Sequence, residues 1–387
     1  MQNYKTSKFK LTKKLLTIFV IFFVISSLVV FGCSIIQTIL NLNNFKANTF
    51  RKETCFHTTN NLNFPSHELY NYDGEIFSLS FNTLMAFPEK ALGDNNNLSA
   101  SFDESKITIS EFKNILYELY KNNYVLISIN QIIDSKTLEQ IPLKLPKNKK
   151  PILLVFDNVS YKSNYQNLGE IDKIIIDRNN NLATYTTKKS IQDRVAYDNE
   201  FILILENFIK QFPDFSFNGA KGIIFLTGEN GILGYNTNHK NASSKYESKR
   251  VSEVIKKLKS LGWQFGCNNY SYKLDSSLSD MEFAKDLSLW NAEVSPLIGT
   301  TNLYAYPYGE NDENSSKQEL LITSGFKIFF ECGDPNPIQK VSDTYHFYYY
   351  KINGKALREN TQILDKLFTC EKVYDYHYRT VPFKSIN

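Results

Sequence analysis

The segment Pro151-Ile-Leu-Leu-Val-Phe-Asp-Asn158 is the strongest indication of the fold: six apolar residues are followed directly by two polar ones. A short apolar run of this kind is typical of a parallel strand buried on both faces. A second stretch, Gly262-Trp-Gln-Phe-Gly-Cys-Asn-Asn-Tyr-Ser-Tyr272, has the same form, with Trp263–Cys267 as its strand. Because ligands bind beyond the carboxyl ends of strands in α/β folds, the two strand tips predict one site at the end of a barrel or open sheet.

Three segments resemble motifs of the NodB-type polysaccharide deacetylases, the carbohydrate esterase family 4-like proteins. The strand ending in Asp157-Asn158 resembles their Phe-Asp-Asp motif, and Asn268-Asn-Tyr-Ser-Tyr272 resembles their His-Ser-Tyr-Gly-His motif. Tyr306-Pro-Tyr-Gly-Glu310 resembles a third motif, and the segment from Phe217 to Tyr235 is similar to one in a clostridial, membrane-anchored branch. The resemblance covers roughly residues 80–375. It implies a distorted (β/α) barrel.

Strand-like and helix-like segments alternate along the remaining chain, which favours an α/β barrel over a sandwich. We expect the residues between 160 and 200 to form an inserted hairpin, and residues 94–105, 142–150 and 236–248 to form loops. The apolar spacing predicts six further strands, at Glu75–Met85, Tyr124–Ile129, Ala220–Thr227, Asn302–Tyr306, Lys327–Phe330 and Tyr345–Tyr350. It predicts helices after a cap at Thr108 or Ser110 and at Phe201–Phe212, Val251–Leu261, Asp280–Val294, Gln318–Thr323 and Leu357–Leu367.

The N-terminus has the form of a transmembrane anchor. Residues 1–14 contain five lysines and no acidic residue, and residues 15–37 carry no charge. An apolar helix of about 20 residues, rising ~1.5 Å per residue, is long enough to cross a bilayer. The positive-inside rule then places residues 1–14 in the cytoplasm. Residues 38–75 become an extracytoplasmic linker and residues 76–387 a deacetylase-fold domain outside the cell membrane.

Two other interpretations of this N-terminus remain open. A cleaved signal peptide has the same basic start, although its apolar region is usually only ~7–15 residues long. Val30-Phe-Gly-Cys33 is close to a lipoprotein signal, in which Cys33 would be lipidated. All three interpretations place the main domain outside the membrane, where disulfides are permitted. The four remaining cysteines allow three pairings, and the sequence does not choose among them: Cys55, Cys267, Cys332 and Cys370.

The composition excludes some partners and permits others. A net charge of +4 over 387 residues, with lysines and acidic residues interspersed, gives no basic stripe of the kind that nucleic-acid-binding proteins present. The many tyrosines and phenylalanines are usual in a chain rich in Asn, Lys and Ile, and only some would serve as stacking surfaces for a carbohydrate. The resemblance and the predicted anchor, not the composition, imply a cell-wall or surface glycan, or an envelope protein, as partner.

The resemblance implies amide hydrolysis by a metal-activated water, because a divalent ion such as zinc lowers the pKa of its bound water and polarises the carbonyl. Asp157 matches the family's catalytic base. The three metal ligands, by contrast, are all replaced: Asn158 stands for an aspartate, and Asn268 and Tyr272 stand for histidines. No pair among the five histidines has His-x-x-x-His spacing, and His346 is the nearest candidate for the family's late histidine, the general acid.

These substitutions predict a pseudoenzyme without a metal cofactor, in which amides and tyrosines suit the recognition of sugar hydroxyls. The predicted binding residues are Asn158, Asn268, Asn269, Tyr272, Tyr306 and Tyr308, with Asp157 at the vestigial base position. One alternative is an active N-acetylglucosamine deacetylase with an atypical metal site that uses Asp157 and a residue such as Asp198 or Glu310. Another is a structural envelope or spore component that uses the fold only as a surface.

Overall fold

The computed structural model describes residues 69–383 except 166, 188, 189, 191, 192, 239–241, 313 and 335–337. Its centre is a closed barrel of seven parallel strands, in which each strand pairs with two others and the last pairs with the first. In spatial order the seven are β2 (Phe77–Phe81), β5 (Lys150–Phe156), β9 (Ile223–Leu226), β10 (Gln264–Cys267), β11 (Leu303–Ala305), β12 (Ile328–Cys332) and β14 (Thr344–Lys351).

Alternation along these strands sorts their side chains into two buried layers. One set, which includes Val155, Phe225 and Phe330, packs inside the barrel. The other set, which includes Phe156 and Leu226, packs outward against the helices. Small residues keep the narrow interior free of clashes. A Cβ on Gly266, for example, would come 2.3 Å from the ring of Phe225.

Eleven helices lie among the described residues, and the longer ones surround the barrel. The helix Ile109–Lys121 begins with a capping box in which the Thr108 hydroxyl accepts from the Glu111 amide at 3.1 Å, and Ser279 and Glu282 form the same motif. The helices are α1 (Pro88–Ala91), α2 (Ser99–Ser105), α3 (Ile109–Lys121), α4 (Phe201–Gln211), α5 (Ala242–Ser260), α6 (Asp280–Glu293), α7 (Ser295–Ile298), α8 (Ser315–Thr323), α9 (Gly354–Glu359), α10 (Thr361–Leu364) and α11 (Cys370–Val373).

Shorter strands lie outside the barrel ring. The strands β6 (Lys173–Ile176), β7 (Leu182–Tyr185) and β8 (Val195–Ala196) form an antiparallel sheet within the predicted insertion. Of the remaining strands, β3 (Tyr124–Leu126) pairs with β5 and β13 (Gln339–Val341) pairs with β14, while β1 (Leu69–Asn71) and β4 (Lys144–Pro146) pair with each other in a separate sheet.

The predicted α/β barrel is confirmed, while several local predictions are wrong. Residues 99–105, predicted as loop, form α2 because Phe102 packs into a small apolar cluster with Met85 and Leu92. Part of the predicted loop at 142–150 is β4, since it pairs with β1. The helix predicted from Val251 begins earlier, within the predicted loop 236–248. The helix predicted at Leu357–Leu367 is divided at Asn360.

The predicted anchor at residues 15–37, Cys33 and most of the predicted linker lie outside the described residues. The strand Leu69–Asn71 falls within the segment predicted as linker, so folded structure begins before residue 76. Within residues 69–383, apart from the gaps given above, no helix has both the length and the hydropathy needed to cross a bilayer. Cys267, Cys332 and Cys370 are unpaired thiols, and Cys55 lies outside the described residues.

Candidate ligand site at the barrel mouth

The C-terminal ends of the seven barrel strands form the barrel mouth, where the structure brings the predicted motifs together. Asp157 follows β5, Asn268 follows β10, and the segment from Tyr306 to Gly309 follows β11. These three strands are close because β9 alone separates β5 from β10, and β11 pairs with β10. The predicted meeting of the two polar strand tips is therefore confirmed by the sheet order.

Asp157 is fully buried at the centre of this mouth. Its Oδ2 accepts a hydrogen bond of 2.6 Å from the hydroxyl of Ser80, on the neighbouring strand β2. Its Oδ1 has no hydrogen-bond partner among the described residues, although the Tyr349 hydroxyl lies near enough to affect its ionisation. Burial raises the pKa of Asp157, and the positive charge of Lys351 opposes this rise. The Oδ1 of Asp157 and the hydroxyl of Tyr349 are therefore two buried polar atoms at the mouth without an assigned hydrogen bond among the described residues.

Asn268 holds the tips of three strands together through its side-chain amide. Its Oδ1 accepts from the backbone N–H of Asn158 at 2.9 Å, and its Nδ2 donates to the carbonyl of Ala305 at 2.8 Å. The side chain is 0% exposed. Both ends of the amide are therefore engaged in the framework of the mouth, and the Asn158 side chain has a buried Oδ1 without a partner among the described residues.

Asn269 fixes the loop that follows β10. Its Nδ2 donates to Asp275 at 3.1 Å and its Oδ1 accepts from the backbone N–H of Tyr272 at 2.6 Å. Asp275 also accepts a hydrogen bond of 2.9 Å from the Tyr304 hydroxyl, and burial raises its pKa to about 7. This network sets the position of Tyr272 in the mouth. Asn269 is only 1% exposed, so its role is to hold the loop through these hydrogen bonds.

Two tyrosines form the rim of the mouth. The rings of Tyr272 and Tyr308 are 4.7 Å apart, and the Tyr272 hydroxyl accepts from the backbone N–H of Tyr308 at 3.4 Å. Tyr272 is 7% exposed and Tyr308 is 47% exposed, so Tyr308 offers an open aromatic face. Tyr306 does not belong to this rim, because its side chain packs on Tyr304 and Phe329 in the outer layer.

Backbone strain concentrates at the mouth. Positive φ values are uncommon for residues with a side chain and are costly for bulky ones. Five of the twelve non-glycine residues with positive φ in the described chain follow the barrel strands β5, β10 and β11, and three of the five are tyrosines. They are Asn158 (φ 52°), Tyr161 (φ 54°), Asn269 (φ 45°), Tyr272 (φ 54°) and Tyr308 (φ 62°).

A divalent metal does not fit the residues at the positions where the resemblance would place one. The Asn268 amide bonds the backbone at both ends, and its oxygen is a neutral ligand that already accepts the Asn158 N–H. Burial, followed by the nearby charge of Asp157, raises the pKa of Tyr272 well above its usual value, which disfavours the phenolate that a metal requires. Within the described parts of the chain, no three His, Cys, Asp or Glu side chains are grouped closely enough to hold an ion.

The other residues considered for an active site lie elsewhere. Asp198 is on the surface, where it forms an ion pair of 3.5 Å with Lys113. His346 is on the outer face of β14, opposite to Tyr349, and pairs with Glu331 at 2.9 Å. Glu310 ends the turn after β11 and is exposed. None of the three contacts Asp157.

Sequence reasoning missed three residues of the mouth: Ser80, Tyr349 and Lys351. Ser80 and Lys351 have paired Cα positions on β2 and β14, and Tyr349 lies two residues before Lys351. The sequence predicts a strand for the tyrosine-rich segment 345–350, but its apolar pattern does not show which face of that strand lies inside the barrel. Side chains alternate between the two faces of this strand, but only its pairing with neighbouring strands shows that Tyr349 and Lys351 lie on the inner face.

A cavity of about 440 Å³ lies at the opposite end of the barrel from the mouth. Its lining includes Tyr72, which follows β1, and Ile76, which precedes β2. Ile132 and Leu143, from the segment between β3 and β4, also line it. It contains none of the motif residues. The candidate ligand site is therefore assigned from the side-chain chemistry at the mouth.

Comparison with known proteins gives structural neighbours only. No family model and no curated protein matches the sequence. The chain is similar to the deacetylase PplD from Streptococcus pyogenes, solved with acetate, at 11% identity and a TM-score of 0.41, over 73% of this chain and 93% of that one. It is similar to IcaB from Ammonifex degensii at 14% identity and a TM-score of 0.39, with the same coverage.

A further neighbour is a pseudoenzyme of the CE4 family from Bacillus anthracis, at 12% identity and a TM-score of 0.26, over 45% of this chain and 60% of that one. These neighbours are of the same class of protein that the motifs resemble. At such identities and TM-scores the comparison concerns the backbone fold alone and gives no information on the side-chain chemistry of the mouth.

Proposed function

We propose that this chain is a membrane-tethered, extracytoplasmic pseudoenzyme that binds a neutral cell-surface glycan at the barrel mouth without deacetylating it. The observation on which the proposal depends is the state of Asn268. At the position of a metal ligand, its amide bonds the backbone at both ends. The mouth has therefore kept its framework, while the group needed to bind and activate water is absent from the described residues.

A binding role is supported by the groups that remain available. Asp157 has one buried carboxylate oxygen without a partner among the described residues, which suits a hydroxyl or amide donor of a sugar. Tyr308 presents an aromatic face that is nearly half exposed beside it, which suits stacking against the apolar face of a sugar ring. A few polar groups beside an aromatic wall are typical of sites that recognise small polar ligands.

The test of this proposal uses the full-length protein in detergent. Isothermal titration with chito-oligosaccharides, which are uncharged when fully N-acetylated, should show binding, and an acetate-release assay with the same ligands should show none. Tyr308→Ala should weaken binding about three- to tenfold, since aromatic contacts contribute ~0.5–1.5 kcal/mol. Tyr246→Ala removes a tyrosine that is 58% exposed on α5 and is the matched control, with no expected change.

Other outcomes would support the other functions. Acetate release that is abolished by Asp157→Asn would refute the pseudoenzyme and indicate an atypical hydrolase. Crosslinking to an envelope protein without retention of any glycan would favour the structural component.

The tether itself is tested by adding protease to intact cells, which should digest residues 76–387 if they lie outside the membrane.

A further inference from the structure

The barrel mouth contains a lysine that no motif indicates. Lys351 is the last residue of β14, and its Cα is paired with that of Ser80, the serine that bonds Asp157. It has the same strand parity as Phe347 and Tyr349, which pack inside the barrel, so its side chain extends into the mouth. Its Nζ lies 5.8 Å from the centre of the Tyr308 ring.

The buried carboxylate of Asp157 favours a cation in the mouth. A buried carboxylate is costly unless a proton or an opposite charge compensates it. In a metal-dependent hydrolase the bound ion supplies that charge. Here the ligand positions are occupied by neutral side chains, and Lys351 is the residue whose positive charge acts on Asp157. Lys351 forms no ion pair within 4 Å among the described residues, so its ammonium N–H groups remain available.

We propose that Lys351 takes the place of the metal ion: its ammonium is the counter-ion of Asp157, it repels a divalent cation from the mouth, and it donates to an acceptor oxygen of the bound ligand. Since Asp157 and Lys351 neutralise each other, the ligand class that fits is an uncharged one that presents both a donor and an acceptor. Only this assignment of ligand class rests on the proposed function. The two statements about charge are independent of it.

The first test restores the metal ligands. A triple variant, with Asn158→Asp, Asn268→His and Tyr272→His, is compared with the same variant carrying Lys351→Met, by titration with zinc chloride and by elemental analysis. The repulsion between Lys351 and the ion predicts that removal of the lysine tightens zinc binding at least about tenfold. Equal affinity in the two proteins, or no zinc in either, would overturn the proposal. No glycan is used in this test. It can therefore fail while glycan binding is confirmed, and it can succeed while glycan binding is refuted.

The second test needs no redesigned site and remains informative if the triple variant does not fold. It is a double-mutant cycle on Lys351→Met and Asp157→Asn, read as the urea midpoint of the full chain at pH 7.5. We expect Lys351→Met to lower the midpoint in the native background and to leave it unchanged when Asp157 is already neutral. The same loss in both backgrounds would show that the ammonium does not compensate this carboxylate. Lys366→Met, at an exposed position in the turn after α10, is the matched control.

Discussion

Replacing Glu200 with glutamine is expected to stabilise the protein at neutral and alkaline pH. Glu200 precedes α4 and is 0% exposed. Its Oε1 accepts from the backbone N–H of Phe201 at 2.8 Å and of Leu84 at 3.3 Å, while its Oε2 has no partner among the described residues. Burial raises the pKa of this carboxyl from 4.5 to about 8, against the smaller lowering by the two amides. The folded state therefore holds it protonated at neutral pH.

The sign and size of the effect follow from proton linkage. Because the folded state binds the proton more tightly than the unfolded state, the contribution of Glu200 to stability is complete below pH 4.5 and is lost as the pH rises towards 8. The interval from pH 5 to pH 7.5 lies between these two pKa values, and at ~1.4 kcal/mol per pH unit it corresponds to roughly 3 kcal/mol of stability. Glutamine is uncharged and has the same shape as the protonated acid, so it removes this dependence.

The assay is the free energy of unfolding in urea between pH 5 and pH 7.5 for the native chain, for Glu200→Gln and for Glu253→Gln. Glu253 lies on an exposed position of α5 and is the matched control. The advantage of Glu200→Gln over the native chain should grow by about 3 kcal/mol across this range. If the two proteins gave parallel curves of unfolding free energy against pH, Glu200 would have the same proton affinity in the folded and unfolded states, and the prediction would be wrong.

Three further changes test the framework, each by urea unfolding. Gly266→Ala should cost ~1–3 kcal/mol, because its Cβ would lie 2.3 Å from a neighbouring ring; an unchanged midpoint would show that the interior has spare room. Arg379→Met should cost ~3–5 kcal/mol, because it leaves the buried carboxylates of Asp103 and Glu111, at 3.2 and 2.7 Å, without this partner. Asn268→Ala should cost ~2–4 kcal/mol, because two backbone groups lose the bonds of its amide; a loss below 0.5 kcal/mol would mean that the amide does not hold the strand tips.

Much of the fold is predictable from local sequence. The run from Pro151 to Phe156 is apolar at every position, as a strand needs to be when both of its faces are buried. The predicted helix after Thr108 is also confirmed, since both its cap and its apolar spacing are local signals. The errors occur where tertiary contacts outweigh local preference. Residues 99–105 read as a loop and form a helix because Phe102 has an apolar cluster to enter.

The sequence alone predicts Asp157 at a strand tip, and its resemblance to the deacetylases implies that Asn158, Asn268 and Tyr272 stand at their metal-ligand positions. The surroundings of that carboxylate, by contrast, follow from the tertiary structure. Ser80 and Lys351 are far from Asp157 along the chain. Ser80 meets Asp157 because β2 pairs with β5, and Lys351 comes to lie beside Ser80 because β14 closes the barrel against β2. Local patterns record which residues are apolar, whereas the neighbours of a charge depend on strand register and ring closure, and these are set by pairings across the whole chain.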